Sequence, residues 1–177
     1  MSDFKIRGRI YNALFKFCGK TWKPYSTNLW FKDGAIYATD EKIIVRWRPN
    51  IKLVTVATPK GKELLDGFNF KPKKDKCAAA DLLDFDDDFV REAATVPEKE
   101  ALDSIFNCKV AEIPYLTVDA NYLNNIANLT KAIAQENKAK PHVQLSNIKY
   151  GAITALSAHI NSLALGEFDI VCMPVRI

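Results

Sequence analysis

Apolar residues recur along this chain with two different periods, and the places where the period switches outline its elements. In "IRGRIYNALFKFCGK" Ile10, Ala13, Leu14 and Phe17 stand at i, i+3, i+4 and i+7. That spacing predicts an amphipathic helix, with Gly19 just beyond as its stop. A short strand at Phe4 to Ile6 precedes it. After the helix the period falls to two. "STNLWFKDGAIYATDEKIIVRWRP" predicts two strands joined at Asp33-Gly34, a strong hairpin signal, then a turn near Asp40-Glu41 and a third strand from Lys42 to Arg48 that Pro49 halts. "IKLVTVATP" offers a fourth strand.

The far end repeats this order. "IPYLTVDANYLNNIANLTKAIAQENKAKP" predicts a strand running up to Val118, Asp119 as an N-cap, and a helix with an apolar stripe of Leu123, Ile126, Ala127, Thr130 and Ile133. Its opposite face holds Asn124, Asn128, Lys131, Gln135 and Lys138. Strands follow at "HVQLS", "GAITALSA" and "EFDIVCMPV", with Asn-Ile-Lys-Tyr-Gly and Leu-Gly as turns. The fold class is therefore α+β, a single domain built from two repeats of strand, helix and antiparallel sheet with the helices on one face. The repeat rests on the order of elements, since residue identity between the halves is slight. Repeat one spans about residues 1–58 and repeat two about 112–177. The segment between them, about 59–111, is charge-blocky and reads as an insertion or linker, with a short helix around Asp81 to Ala94.

Composition narrows the function. At 177 residues, 48% hydrophobic and 26% charged, the chain is long enough for one domain with a real core. No stretch approaches the roughly 20 apolar residues of a membrane span, and "MSDFKIRGRIYN" carries charges where a signal peptide needs an apolar block. A cytoplasmic protein without membrane contact is expected. The net charge of +4 hides an asymmetry: basic and acidic residues number 17 and 7 over residues 1–80, 3 and 10 over 81–112, and 5 and 4 over 113–177. A basic front half points to a polyanion, although a solvated lysine-rich face produces the same count. Placement favours the polyanion. Arg9, Lys16 and Lys20 fall within roughly 40° of one another on the outer side of the first helix, with Lys5 and Lys23 in line if it extends that far.

At this point the residues reach a family. The ending "VCMPVRI" resembles the C-terminus of the bacterial β sliding clamp, the processivity ring of the replicative DNA polymerase, where a last core strand runs into a Met-Pro-x-Arg-aliphatic tail. "GAIYATDEKIIVRW" is similar to that family's repeated strand, alanine-threonine-aspartate turn, strand signature. The resemblance implies a clamp-like fold whose sheets form the outer wall of a ring and whose helices line a hole for duplex DNA. Lys5, Arg9, Lys16, Lys20, Lys23, Lys131 and Lys138 would then face DNA and hold it without reading sequence. It also implies a groove for short peptides of DNA polymerase or other replication proteins. That groove would be lined by Met173, Pro174, Val175 and Arg176 of the tail with Thr39 and Ile44 of the alanine-threonine-aspartate tract.

Two departures shape what is expected. A bacterial clamp chain holds three such domains and closes as a dimer, so a one-domain chain needs several copies in a homo-oligomeric, head-to-tail ring, as in a processivity factor of a virus or mobile element. Where the family has Gly-His or Gly-Tyr after Thr-Asp, this chain has Glu41-Lys42. The alternative is a clamp-fold interaction protein that binds a replication or transcription protein without encircling DNA.

Enzymatic chemistry finds little footing. No phosphate-cradling glycine loop, nucleophile elbow or metal-ligand spacing occurs. "DFDDDF" could hold Mg²⁺, but consecutive acids are more often solvated. Cys18, Cys77, Cys108 and Cys172 are scattered and read as reduced and structural, and His142 and His159 have no evident partner. Trp22, Trp30 and Trp47 could stack bases, but aromatics in strands are usually core. No catalytic residue, cofactor or metal is expected.

Overall fold

The computed structural model of the chain describes residues 4–20, 24–50, 56–57, 64–66, 99–107, 109–110, 116–150 and 153–175. In chain order these form β1 (Phe4–Lys5), α1 (Gly8–Phe15), α2 (Pro24–Thr27), β2 (Leu29–Lys32), β3 (Ala35–Thr39), β4 (Ile43–Arg48), β5 (Val56–Ala57) and β6 (Leu64–Asp66). They continue as α3 (Lys99–Phe106), β7 (Lys109–Val110), α4 (Ala120–Asn137), β8 (Gln144–Tyr150), β9 (Ile153–Ser162) and β10 (Gly166–Cys172). The protein is α+β. Its centre is a six-stranded antiparallel sheet in the order β2-β3-β4-β10-β9-β8. Two three-stranded meanders thus meet through their last strands, with Ile43 opposite Cys172 and Arg48 opposite Glu167. β6 extends one edge parallel to β2, and β7 extends the other antiparallel to β8. β1 and β5 form a separate parallel pair.

Local chemistry sets the turns. At the β2–β3 hairpin Asp33 and Gly34 both take positive φ, 50° and 75°, the conformation that a two-residue turn matching strand twist requires. Between β3 and β4, Glu41 has φ 78°. Asp40 Oδ1 accepts from the amides of Lys42 and Ile43, each at 2.9 Å. The Thr39 hydroxyl accepts from the Glu41 amide and donates to the Ile43 carbonyl. Gly166 opens β10 at φ 94°, and a Cβ there would lie 2.1 Å from the Arg48 carbonyl oxygen, so only glycine fits.

Alternation along the central strands gives the sheet two apolar faces, and different helices cover them. On the front, Leu29, Ile36, Val45, Trp47, Ile160, Phe168 and Ile170 pack against Ile10, Leu14 and Phe17 from α1 and the turn after it, and against Ile126, Leu129 and Ile133 of α4. On the back, Trp30, Tyr37, Ile44, Ile148, Ala155 and Val171 meet Leu102, Ile105 and Phe106 of α3. Polar groups share the centre of that back face. Asp169 accepts from Arg46 at 3.1 Å, from Arg48 at 2.9 Å, and pairs with His159 Nδ1 at 2.9 Å, while the Arg46 guanidinium lies 4.2 Å from the centre of the Phe106 ring.

Several expectations are corrected. Asn147 to Tyr150 belong to β8 rather than to a turn, because Ile148 carries the alternation on into the back core. Residues 116–118 form no strand. The α4 stripe is rotated from the expected one: Leu123 and Ala127 are exposed, and Ile126, Leu129, Thr130 and Ile133 are buried. Tyr122, not Leu123, turns toward the core. α3 was not foreseen, because its apolar positions sit inside an acidic block; the helix expected at Asp81 to Ala94 lies outside the described residues. His159 has a partner after all, in Asp169. Trp30 and Trp47 are wholly buried core residues, and Trp22 is outside the described residues.

Candidate functional site

α1 and α4 lie side by side on the front face and run antiparallel. The start of α1 meets the end of α4, where Arg7 bonds to Glu136 and Arg9 Nη1 stands 3.8 Å from Glu136 Oε1. The end of α1 meets the start of α4, where Asn125 Nδ2 donates to the Lys16 carbonyl at 3.0 Å. Each helix buries its apolar stripe in the sheet and turns a polar stripe outward. Asp119 caps α4 by accepting from the Asn121 amide at 2.8 Å, and Lys138 ends it in the left-handed conformation at φ 51°.

Of the basic residues singled out in the sequence, Arg9 and Lys131 lie on α1 and α4 and Lys16 and Lys138 are the C-caps of those helices, whereas Lys20 lies beyond the end of α1 and does not continue its stripe. Arg9, Lys16, Lys20, Lys131 and Lys138 are all exposed, as are Asn12, Asn124 and Gln135. Among the described residues Lys16, Lys20, Lys131 and Lys138 make no ion pair; Arg9 shares Glu136 with Arg7. Glu136 thus sets one largely covered acid beside these basic residues. Two apolar side chains interrupt the polar surface, Phe15 at 44% exposure and Leu123 at 42%. Lys5 lies in β1, and Lys23 is outside the described residues.

The tail forms a second feature. Past β10 the chain stays stitched on both sides: the Met173 amide donates to the Lys42 carbonyl at 2.8 Å and the Val175 amide to the Thr117 carbonyl at 3.0 Å. Between these two anchors opens a cleft of about 410 Å³ lined by Lys42, Asp119, Tyr122, Met173, Pro174 and Val175. Three of the six tail and turn residues expected in a groove are therefore brought together. Thr39 is not among the lining, being buried in its own turn, and Ile44 faces the back core; Arg176 is outside the described residues. Lys42, Asp119 and Tyr122 were missed. Lys42 was legible as one of the four residues between Thr39 and Ile44 of the tract, and Asp119 as the helix cap, but only the fold places α4 beside the tail.

Asp40 fastens this region. Its Oδ2 accepts from the Tyr122 hydroxyl at 2.7 Å, tying the β3–β4 turn to α4. Burial raises the Tyr122 pKa, and the hydrogen bond to Asp40 and its charge add to the rise. Burial likewise pushes the Cys18 thiol up to about 12, with a backbone hydrogen bond at Thr39 opposing and the charge of Asp40 reinforcing. The Cys172 thiol is also pushed up to about 12, by burial and then by Asp40 and Asp119. Both are free cysteines whose burial favours the protonated thiol. Among the described residues no three His, Cys, Asp or Glu side chains are grouped to hold a metal ion, and no helix is long and apolar enough to cross a membrane. Comparison with protein families, with curated proteins and with solved structures found nothing that matches this chain.

Proposed function

We propose that the protein is a clamp-like, non-enzymatic DNA-tracking scaffold, a replication processivity factor that holds duplex DNA through α1 and α4 and docks partner peptides in the tail cleft. One observation carries the reading: two antiparallel helices share a sheet face and present Arg9, Lys16, Lys131 and Lys138 among exposed amides. Such a surface suits a uniform phosphate backbone, because its contacts are electrostatic and read no base edges. The sheet order supports the repeat, since each half supplies a helix and a three-stranded meander and the halves join through β4 and β10. Encircling DNA would take several copies. The two edges of the sheet carry different strands, β6 and β7, as head-to-tail contacts between copies require.

Binding of a labelled duplex to the full chain tests this. If about four phosphates are contacted, affinity falls about 100-fold between roughly 50 and 200 mM salt. The Arg9→Glu, Lys16→Glu, Lys20→Glu variant is expected to lose binding even at low salt. Salt-independent binding, or binding untouched by the triple change, would overturn the reading.

A second reading draws on Glu136, Phe15 and Leu123. A helix face that neutralises two of its own arginines and exposes two large apolar side chains also suits a protein surface. On that reading the fold serves as an interaction module for a replication or transcription protein and does not encircle DNA. Retention of such a partner at high salt, unaffected by the triple change, would favour it.

A further inference from the structure

Trp30 and Trp47 are wholly buried, and among the described aromatic side chains Phe15 is the exposed one, at 44%. It stands in the last turn of α1. Its ring lies nearly parallel to that of Tyr11 one turn earlier, with centroids 6.0 Å and planes 14° apart. Tyr11 is buried, so it backs Phe15 on one side and leaves the exposed surface on the other. A ring held in this way differs from a solvated side chain that sweeps through its rotamers, because much of the ordering needed to stack a flat ligand is already done by the fold.

The surroundings of the ring favour a nucleic acid over a protein. Asn12, three residues before Phe15, and Lys16, immediately after it, are both exposed. The chain then folds back, with the Cys18 amide donating to the Phe15 carbonyl at 3.1 Å and the Gly19 amide to the Ser26 carbonyl, so Lys20 leaves from a pinned turn. Among the described residues neither Lys16 nor Lys20 makes an ion pair. Asp40 packs against Gly19, but its two carboxylate oxygens are committed to its own turn and to Tyr122. A ring beside two such cations suits a ligand that carries a flat apolar face and a negative charge on one unit, as a nucleotide does. Intact duplex has no face to offer this ring, since each of its bases is stacked between neighbours. An unpaired base does.

Resting on the reading of the α1 and α4 face as a DNA surface, we infer that the end of α1 is a single-strand site, where an unpaired base stacks on Phe15 and the adjoining phosphates pair with Lys16 and Lys20. Asn12 lies about 60° from Phe15 around the helix on the same exposed side, where its amide meets the edge of that base. The stacking tolerates any sequence, because every base has a face. Duplex binding through the basic residues and single-strand binding through Phe15 are then separable properties of one surface.

The test uses the full chain and a labelled DNA strand of about 12 nucleotides, alone or annealed to its complement, with binding followed by fluorescence anisotropy at low salt. Phe15→Ala should weaken single-strand binding at least about fivefold and leave duplex binding unchanged. Phe15→Trp should hold or tighten the single strand, whereas Phe15→Leu, which keeps an apolar side chain without a ring, should behave like Phe15→Ala. Urea midpoints check that each variant folds, and if Phe15→Ala does not, the comparison of Phe15→Trp with Phe15→Leu decides the matter alone. Single-strand binding that is indifferent to Phe15→Ala or preserved in Phe15→Leu overturns the inference. So does an equal loss for strand and duplex, which would make Phe15 a support of the helix face. If the duplex still binds to the unaltered chain in those cases, the DNA reading stands without the single-strand site. Binding of neither form overturns both and leaves Phe15 to a protein partner.

Discussion

A single carboxylate organises the most functionally suggestive corner of the molecule. Asp40 takes two amides of its own turn on one oxygen and the Tyr122 hydroxyl on the other, so the β3–β4 turn, α4 and the tail hold one another in place. Gly166 is equally decisive at the far end of the same strand pair. Its φ of 94° and the Arg48 carbonyl that would meet any Cβ at 2.1 Å combine two penalties, a strained backbone and an overlap with main-chain atoms that cannot rotate away. Gly34, at φ 75°, has open space around it. Gly34→Ala should therefore cost about 1 kcal/mol and Gly166→Ala more than about 3 kcal/mol in urea denaturation. Equal costs at the two sites would mean that the close approach across β4 and β10 is not as described.

At the scale of elements, the pairing of α1 with α4 decides how much positive charge reaches solvent. Glu136 draws on both Arg7 and Arg9, and its side chain is only 10% exposed, so the contact persists better than a fully solvated bridge would. Glu136→Gln should release that charge. Duplex affinity at low salt is expected to rise about two- to fivefold, with the salt slope steeper by about one contact. An unchanged slope would place Arg7 and Arg9 away from the phosphates. Much of this layer was legible beforehand, because Ile10, Leu14 and Phe17 carry a clean 3.6-residue period and Asp33-Gly34 is a turn that few other dipeptides make. What escaped was relational. Leu123 and Ala127 lie close enough to the true stripe to pass for it, and only the packing of α4 against the sheet shows that Tyr122 and Leu129 take their place. α3 hid because its apolar positions are set in acidic sequence. Nothing in the sequence near Glu136 names its partners, because only the antiparallel crossing brings it to the start of a helix more than a hundred residues earlier. The cleft was half legible: the tail residues were named, yet Lys42, Asp119 and Tyr122 reach it only through the fold.

The whole molecule should respond to alkaline pH through its buried protons. Cys18 and Cys172 keep theirs until about 12 in the folded state, whereas an unfolded chain releases them from an ordinary value near 9; Tyr122 and Tyr37 are shifted upward too. Because the folded values lie above the unfolded ones, this stability is fully present below about pH 9 and drains away as pH rises toward 12. The urea midpoint should be flat up to about pH 9 and fall steadily beyond it. The double variant Cys18→Ala, Cys172→Ala should fall less steeply, and an identical slope would show that the thiols do not report on folding. A different consequence follows from the seam between β4 and β10. Its partners are separated by roughly 120 positions, so closing it costs more chain entropy than any hairpin here, and the sheet's middle is the slowest junction to form. During synthesis at about 5–20 residues per second, β4 waits on the order of ten seconds with one side unpaired. A nascent chain in that interval exposes a bare, sticky strand, and its neighbours on the same messenger are the nearest molecules able to cover it.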